Sequence, residues 1–395
     1  MTLKLRIQQA SKDNFNEVQS IRRHLHAHPE LSFEEFNTAA YIENQLTNWG
    51  YQTQRMANTG VIALLTGKGN STKTIALRAD IDALPILEKN NTSYCSTNKG
   101  VMHACGHDVH ASSLLGVAKI LKEFTNDFEG TIKFIFQPGE EKIPGGASML
   151  IAEGVLENPK VERIIGQHVM PLLPAGKVGF RKGMYMASAD EIYITINGKG
   201  GHGAHPHTLI DPVVIMAQVI TALQQVVSRN AKPAVPSVLS IGKVIANGAT
   251  NIIPDEVYME GTFRTFDETW RAEAHELIKK TVNGLCQAMG ATADVEVRVG
   301  YPFLENDVEL TERTKLHAID YLGEENVTDL EIWPAGEDFA FYTREIPGTF
   351  YRLGIRNENK GIVSNLHTPT FDIDEDALIT SIGLMSYLAI KELEN

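Results

Sequence analysis

Cysteine is scarce in this 395-residue sequence, with Cys95, Cys105 and Cys286 as its three members. An odd and sparse set excludes a disulfide framework and fits a reducing compartment. Long apolar runs are missing as well. No stretch of about 18 apolar residues occurs, so no membrane span is expected. The opening "MTLKLRIQQASKDNF" has no apolar core of the ~7–15 residues that a signal peptide needs, and the resulting expectation is a cytoplasmic protein. Basic charge is in deficit: 36 Lys and Arg against 49 Asp and Glu leave a formal charge of −13. That balance works against nonspecific binding to nucleic acid or an anionic membrane, and makes small molecules the expected partners. Internal repeats and low-complexity tracts are absent too. At roughly 100–200 residues per domain the length predicts two or three domains, which excludes a lone miniature fold stapled by metal.

What is present begins with helical periodicity. "DNFNEVQSIRRHLHAHPE" spaces Phe15, Val18, Ile21 and Leu25 three or four residues apart and stops at Pro29. A second helix turns Phe36, Ala39, Ala40 and Leu46 inward and ends at Gly50. Short apolar runs follow, "VIALLT" (61–66), "TIALRAD" (74–80), "TIKFIFQP" (131–138) and "RIIGQHV" (163–169), with a helical stretch at Ser112–Phe124. Continuous apolar strands separated by helices predict an α/β/α domain built on a mainly parallel, buried sheet. Near residue 184 the pattern changes. "DEIYITINGKG" (190–200) alternates polar and apolar side chains, a helix starts at Asp211-Pro212, and "SVLSIGKVIA", "EVYMEGTFRTF" and a helix at 268–289 follow. That β-α-β-β-α-β order is the arrangement of a ferredoxin-like unit. The expected organisation is a catalytic domain at 1–184, an inserted α+β domain at 185–298, and a return to the catalytic domain at 299–395.

The chemistry concentrates in "MHACGHDVHA" (102–111), with one cysteine and three histidines in ten residues. Cys105 and His107 are borderline-soft donors suited to zinc-like ions. In "FIFQPGEEKIPGGA" an apolar strand ends in a turn that carries Glu140 and Glu141. A bare Glu-Glu pair is more often a solvated turn. At the carboxyl end of an α/β strand, however, two glutamates can divide labour, one binding metal and the other moving protons. His168 in "IIGQHVMP" and His367 in "SNLHTPTFDID" complete five candidate ligands. Each histidine alone is more often structural. Five donors exceed one closed tetrahedral site and suit two ions that share a bridge and keep open positions.

In these residues and their order, the sequence resembles the dinuclear-metal aminoacylase and glutamate-carboxypeptidase superfamily. The likeness is strongest to its amidohydrolase branch of hippurate hydrolases, N-acyl-amino-acid amidohydrolases and auxin-conjugate hydrolases. "RRHLHAHPELSFEE", "ALRADIDALPI", "MHACGHDVHA", "QPGEE", "GKGGHGAHPH", "ATNIIPD", "GEDFA" and "LHTPTFDID" occur in that branch's order and span nearly the whole chain. The resemblance implies that Cys105, His107, Glu141, His168 and His367 hold two divalent ions, zinc or manganese first and cobalt or nickel as alternatives. It implies that Glu140 is the general base and that the inserted domain is a lid that often mediates homodimerisation. It further implies that His202 stabilises the oxyanion and that Asn251 and Arg264 hold the substrate carboxylate. Where much of the superfamily has a ligand histidine in His-x-Asp-x-x-Pro, "DIDALP" places Asp80, followed by Asp82. These two, with Asp108, are expected to orient ligand imidazoles, while His103 and His110 take helix-start or packing roles.

The expected activity is hydrolysis of N-acyl-L-amino acids. A dipeptidase, a carboxypeptidase or an N-acetyl-diaminopimelate deacetylase are rivals on the same site. Two other classes remain in view: a cysteine hydrolase using Cys105 with His107 or His110, and a noncatalytic protein with structural metal. The second gives Glu140 nothing to do.

Overall fold

The computed structural model describes residues 1–394. The chain forms two compact units. One contains Met1–Tyr185, Glu305–Ile332 and the chain from Asp338 onward; the other contains Met186–Leu304 and Trp333–Glu337. The short second visit at Trp333–Glu337 leaves no trace in the hydrophobic pattern.

The first unit is organised by an eight-stranded sheet. Its strands lie in the order Thr53–Met56, Gly60–Thr66, Thr131–Gln137, Thr74–Asp80, Arg163–Pro174, Gly348–Arg356, Val178–Phe180 and Val327–Asp329. The central strands Thr131–Gln137, Thr74–Asp80, Arg163–Pro174 and Gly348–Arg356 run parallel to one another. They are apolar because helices cover both of their faces. Ile75, Leu77, Phe134, Phe136 and Ile165 are all buried in one core, and each such side chain contributes roughly 1.5–3 kcal/mol on leaving water. Gly60–Thr66 departs from the parallel expectation and pairs antiparallel with Thr131–Gln137. An apolar run reports burial on two faces, not the direction of the neighbour.

Helix His107–Glu123 is buried along almost its whole length. Helix Phe15–Ala27 buries Val18, Ile21 and Leu25 as its spacing requires. In helix Phe36–Asn48 the inward face is Thr38, Ala39, Ile42 and Leu46. Phe36 and Ala40, expected inside, face solvent. A further helix, Leu3–Asp13, precedes these and is capped by the Thr2 hydroxyl.

The second unit is an α+β fold. Its antiparallel sheet has the order Ser237–Ile245, Glu256–Thr265, Asp190–Asn197, Thr292–Val299. Helices Pro212–Gln225 and Glu268–Ala288 follow the first and third of these strands in chain order, which is the ferredoxin-like connectivity. Asp211 caps the first helix by accepting from the Val213 and Val214 N–H groups at 2.9 and 3.2 Å, with Pro212 in its first turn. Asp267 caps the second through the Trp270 N–H at 2.9 Å.

Candidate metal centre

Three parallel strands deliver the centre to one edge of the large sheet. Thr74–Asp80 and Thr131–Gln137 end together, with Asp80 opposite Gln137. The Glu140-Glu141 turn therefore leaves the sheet beside Asp80 and Asp82. His168 does not close its strand, which continues to Pro174. It lies beyond Arg78–Gly166, the last pairing with Thr74–Asp80, and so still projects past that neighbour's carboxyl end. Cys105 and His107 flank Gly106, whose φ of 85° belongs to the left-handed region. A Cβ there would stand 2.5 Å from Val169 Cγ2, so only glycine lets the chain swing from Cys105 into the helix that starts at His107. His367 comes from far along the chain, docked by its N–H on the Ala104 carbonyl at 2.8 Å. Its φ of 59° is uncommon for a residue with a side chain.

All five expected ligands converge with Glu140. Donor atoms of Cys105, His107 and His168 lie within 4.8 Å of one another, as do those of Cys105, Glu141 and His367, and those of His107, Glu140 and Glu141. Cys105 is common to the first two groups. Its Sγ is 3.3 Å from His168 Nε2, and His367 Nε2 is 3.1 Å from Glu141 Oε1. Buried Glu140 places Oε2 3.9 Å from His107 Nε2.

The donor set fits divalent metal. His168 Nδ1 donates to the Val169 carbonyl at 2.8 Å, which leaves its Nε2 lone pair facing Cys105. His107 Nδ1 donates to Asp82 at 3.1 Å, and its buried Nε2 has no hydrogen-bond partner. An unsatisfied buried nitrogen is costly, and a cation removes that cost. Burial lowers the His107 pKa, but Asp80 and Asp82 outweigh it and push the imidazole up to about 10. Burial, Glu141, Glu140 and Asp80 all raise the Cys105 thiol well above its ordinary range. A nucleophilic cysteine needs the opposite environment. His168, the imidazole against the thiol, is held well below its usual pKa by burial and by Arg352, so it supplies no stabilising imidazolium. The raised thiol counts against the cysteine-hydrolase alternative, and the imidazole that lies against it is His168, not the expected His107 or His110.

The neighbouring polar residues sort differently from expectation. Asp82 holds the imidazole of an expected ligand, His107, and its other oxygen accepts from the Glu141 N–H at 3.0 Å and the Ser32 hydroxyl at 2.7 Å. Asp80 holds His110 instead, at 2.6 Å, and receives Arg78 at 2.7 Å. His110 Nε2 accepts the Val169 N–H at 2.9 Å. Both of its ring nitrogens are occupied, so it has none left for a metal. Asp108 orients no ligand: it faces Arg22 and His26, each at 2.8 Å, because helix geometry turns it away from His107. His103 is buried, has no hydrogen-bond partner at either nitrogen, and is kept neutral by burial at a pKa of about 4.

His202, Asn251 and Arg264 all belong to the second unit. A two-stranded ladder pairs His202 with Ile252, and the Gly203 N–H donates to the Asn251 carbonyl at 2.9 Å. His202 and Asn251 are thereby neighbours, both exposed. His202 Nδ1 accepts the Ala204 N–H at 3.1 Å, so its Nε2 carries the free N–H. Arg264 lies opposite Val238 in the four-stranded sheet. Burial lowers its pKa, and its side chain has no hydrogen bond or ion pair among the described residues.

Sequence reasoning assigned no role to Arg22, His26 or Glu35, although all three lie inside "RRHLHAHPELSFEE". Their chemistry depends on partners far along the chain. Arg22 is fully buried and reaches Asp108, Asp372 and Glu375. Arg78 joins Asp80 to Asp338 at 2.7 and 2.6 Å.

Comparison with known proteins agrees with this geometry. Residues 76–391 match peptidase family M20/M25/M40. The chain is 46% identical over 281 residues to an N-acyl-L-amino acid amidohydrolase of Geobacillus stearothermophilus, covering 71% of this chain and 75% of that protein. It is 37% identical over 377 residues to thermostable carboxypeptidase 1 of Saccharolobus solfataricus, covering 94% of each. Among solved structures, a dinuclear metal-binding M20 peptidase, the YXEP protein of Bacillus subtilis, superposes with a TM-score of 0.82 at 36% identity, covering 97% of this chain and 99% of that one. The chain thus belongs to peptidase family M20/M25/M40 and is a metal-dependent hydrolase of linear amides.

Proposed function

We propose that the protein hydrolyses the amide bond of N-acyl-L-amino acids bearing acetyl, benzoyl or similar acyl groups. The observation that carries this reading is Glu140, buried beside two donor triads that share Cys105. A purely structural site has no use for that carboxylate.

In this reading Cys105, His107, Glu141, His168 and His367 would hold two divalent ions, Cys105 being the donor that two of the clusters share. Thiolate, imidazole and carboxylate together accept zinc or manganese, and also cobalt or nickel. Bound there, the ions supply Lewis acidity and lower the pKa of water from 15.7 to about 7. Glu140 takes the proton of the attacking water and passes it to the departing amine, acting as base and then as acid. His202 presents Nε2–H to the developing oxyanion. One such donor is typically worth about 10²–10³ in turnover. Asn251 and Arg264 bind the free α-carboxylate, and the partnerless guanidinium of Arg264 supports this role. The second unit acts as lid and dimerisation domain, and sedimentation of the metal-loaded protein tests the dimer.

A carboxypeptidase or dipeptidase on the same residues is the second reading, favoured by the likeness to the Saccharolobus carboxypeptidase. Rates on acetyl-amino acids, benzoyl-glycine, N-acetyl-diaminopimelate and plain dipeptides, each with zinc- and manganese-loaded protein, decide between them. Faster turnover of dipeptides than of every acyl-amino acid overturns the first reading.

A further inference from the structure

We propose that Glu35 is a positioning residue for Glu140, holding the turn that presents the base. The inference rests on Glu140 being that base.

Glu140 sits between two backbone N–H groups, and each is held by a buried carboxylate. Before it, the Gly139 N–H donates to Glu35 Oε1 at 2.8 Å. After it, the Glu141 N–H donates to Asp82 Oδ2 at 3.0 Å. Both carboxylates connect to one short segment. Glu35 Oε1 also accepts the Phe33 N–H at 2.9 Å, and Ser32 Oγ donates to the same Asp82 oxygen at 2.7 Å. Glu35 is itself oriented by the Thr59 hydroxyl, which donates to Oε2 at 2.7 Å.

Shape reinforces these bonds. Phe33 and Gly139 both have left-handed backbones, with φ of 68° and 57°. A Cβ on Gly139 would lie 2.2 Å from the Phe33 ring, so the turn is seated directly on that ring. Glu35 is fully buried, and a carboxylate is costly to keep in such a place unless its acceptors are used. Two of the three groups it binds, the Gly139 and Phe33 N–H groups, belong to this seat. The side chain of Glu140 therefore starts from a backbone pinned on both flanks, and a displacement of about 1 Å at a reacting group can cost about 10²-fold in rate.

The test compares Glu35→Gln, Thr59→Val, Glu140→Gln and the wild type, each loaded with zinc and then with manganese. Metal stoichiometry and affinity, melting temperature, and kcat and KM on an N-acetyl-amino acid are measured. Glu35→Gln keeps the shape but puts an N–H2 in place of Oε2, which accepts the Thr59 hydroxyl, and removes the charge from the group whose Oε1 holds the Gly139 and Phe33 N–H groups. The expected result is two bound ions at wild-type affinity, KM within about twofold, and kcat lowered about 10–100-fold. Thr59→Val is expected to lower kcat in the same sense by less. Unchanged kcat in Glu35→Gln, or a loss fully explained by weaker metal binding, overturns the positioning role. Should Glu35→Gln not fold, Thr59→Val decides by the same criteria. Full turnover in Glu140→Gln would overturn the assignment of the base itself, an outcome distinct from failure of Glu35 alone.

Discussion

The imidazole of His107 donates through Nδ1 to Asp82 at 3.1 Å and leaves Nε2 buried without a hydrogen-bond partner. One pair thus fixes which nitrogen is offered, in which direction and in which tautomer. Replacing Asp82 by Asn removes the anionic acceptor but keeps the volume. Metal affinity is expected to fall about 10–100-fold, measured by titration with a chromophoric competitor. Affinity equal to wild type would show that the ring is held by packing alone.

Glu140→Gln tests the proton transfer separately from the ligands. Turnover is expected to drop at least about 10²–10⁴-fold, the usual worth of a positioned acid–base group, with both ions retained. Elemental analysis alongside kcat reads both quantities. Loss of metal in step with activity would reassign Glu140 as a ligand.

Metal loading is expected to release protons. Without a cation the Cys105 thiol is raised well above its ordinary range and His107 stands at about 10, so both hold their protons at neutral pH. Both must give them up to bind. Calorimetry in buffers of different ionisation enthalpy should find roughly two protons released per chain near pH 7, with affinity rising as pH rises. An affinity flat between pH 6 and 9 contradicts the assigned ligand pair. In the metal-free protein the sign reverses. The stability from His107 beside its aspartates is fully present below its unfolded pKa of ~6.5 and is lost as pH rises through about 10.

Asp108 and Arg22 form a fully buried ion pair at 2.8 Å. Asp108→Ala leaves Arg22 with one carboxylate fewer in the interior and should cost about 3–5 kcal/mol at pH 7, read from urea unfolding. Burial raises the Asp108 pKa, but Arg22 and then His26 outweigh it and hold the carboxyl well below the usual range. Its contribution is present above the unfolded pKa of ~3.9 and is lost as pH falls toward the folded value. The gap between wild type and variant should therefore narrow below about pH 4. A gap that widens in acid would refute the pairing.

Gly106→Ala forces a side chain onto a left-handed backbone with Val169 Cγ2 2.5 Å from the new Cβ. A loss of about 1–3 kcal/mol in stability is expected, together with weaker metal binding because Cys105 and His107 flank the strained bond. Scanning calorimetry of metal-free and loaded protein separates the two effects. An unshifted melting temperature would mean the turn relaxes freely.

Residues 190–200 show how much of the fold is legible in one dimension. Their alternation predicts a strand with one wet face, and Asp190–Asn197 buries every second residue. Asp211 announces its helix because a cap acts within three residues. The cluster of donors was legible for a related reason: cysteine, histidine and paired glutamates at strand ends are chemically distinctive wherever they stand. Periodicity could not tell that Gly60–Thr66 runs antiparallel, or that Phe36 faces water, because both depend on neighbours distant in the chain.

Neighbouring residue types in the sequence determined which groups are available: five soft or carboxylate donors, a further carboxylate beside them, and two folding units of different pattern. Tertiary structure alone decided which nitrogen each histidine offers, and that Asp82 holds His107 while Asp108, next to it in sequence, holds Arg22. It also decided that His110, in the same short motif as Cys105, has both nitrogens spent on Asp80 and Val169. The physical reason is the reach of the forces. Backbone propensity and capping act over a few residues, whereas a hydrogen bond such as Arg22–Asp108 joins groups 86 positions apart and exists only once the core has closed around it.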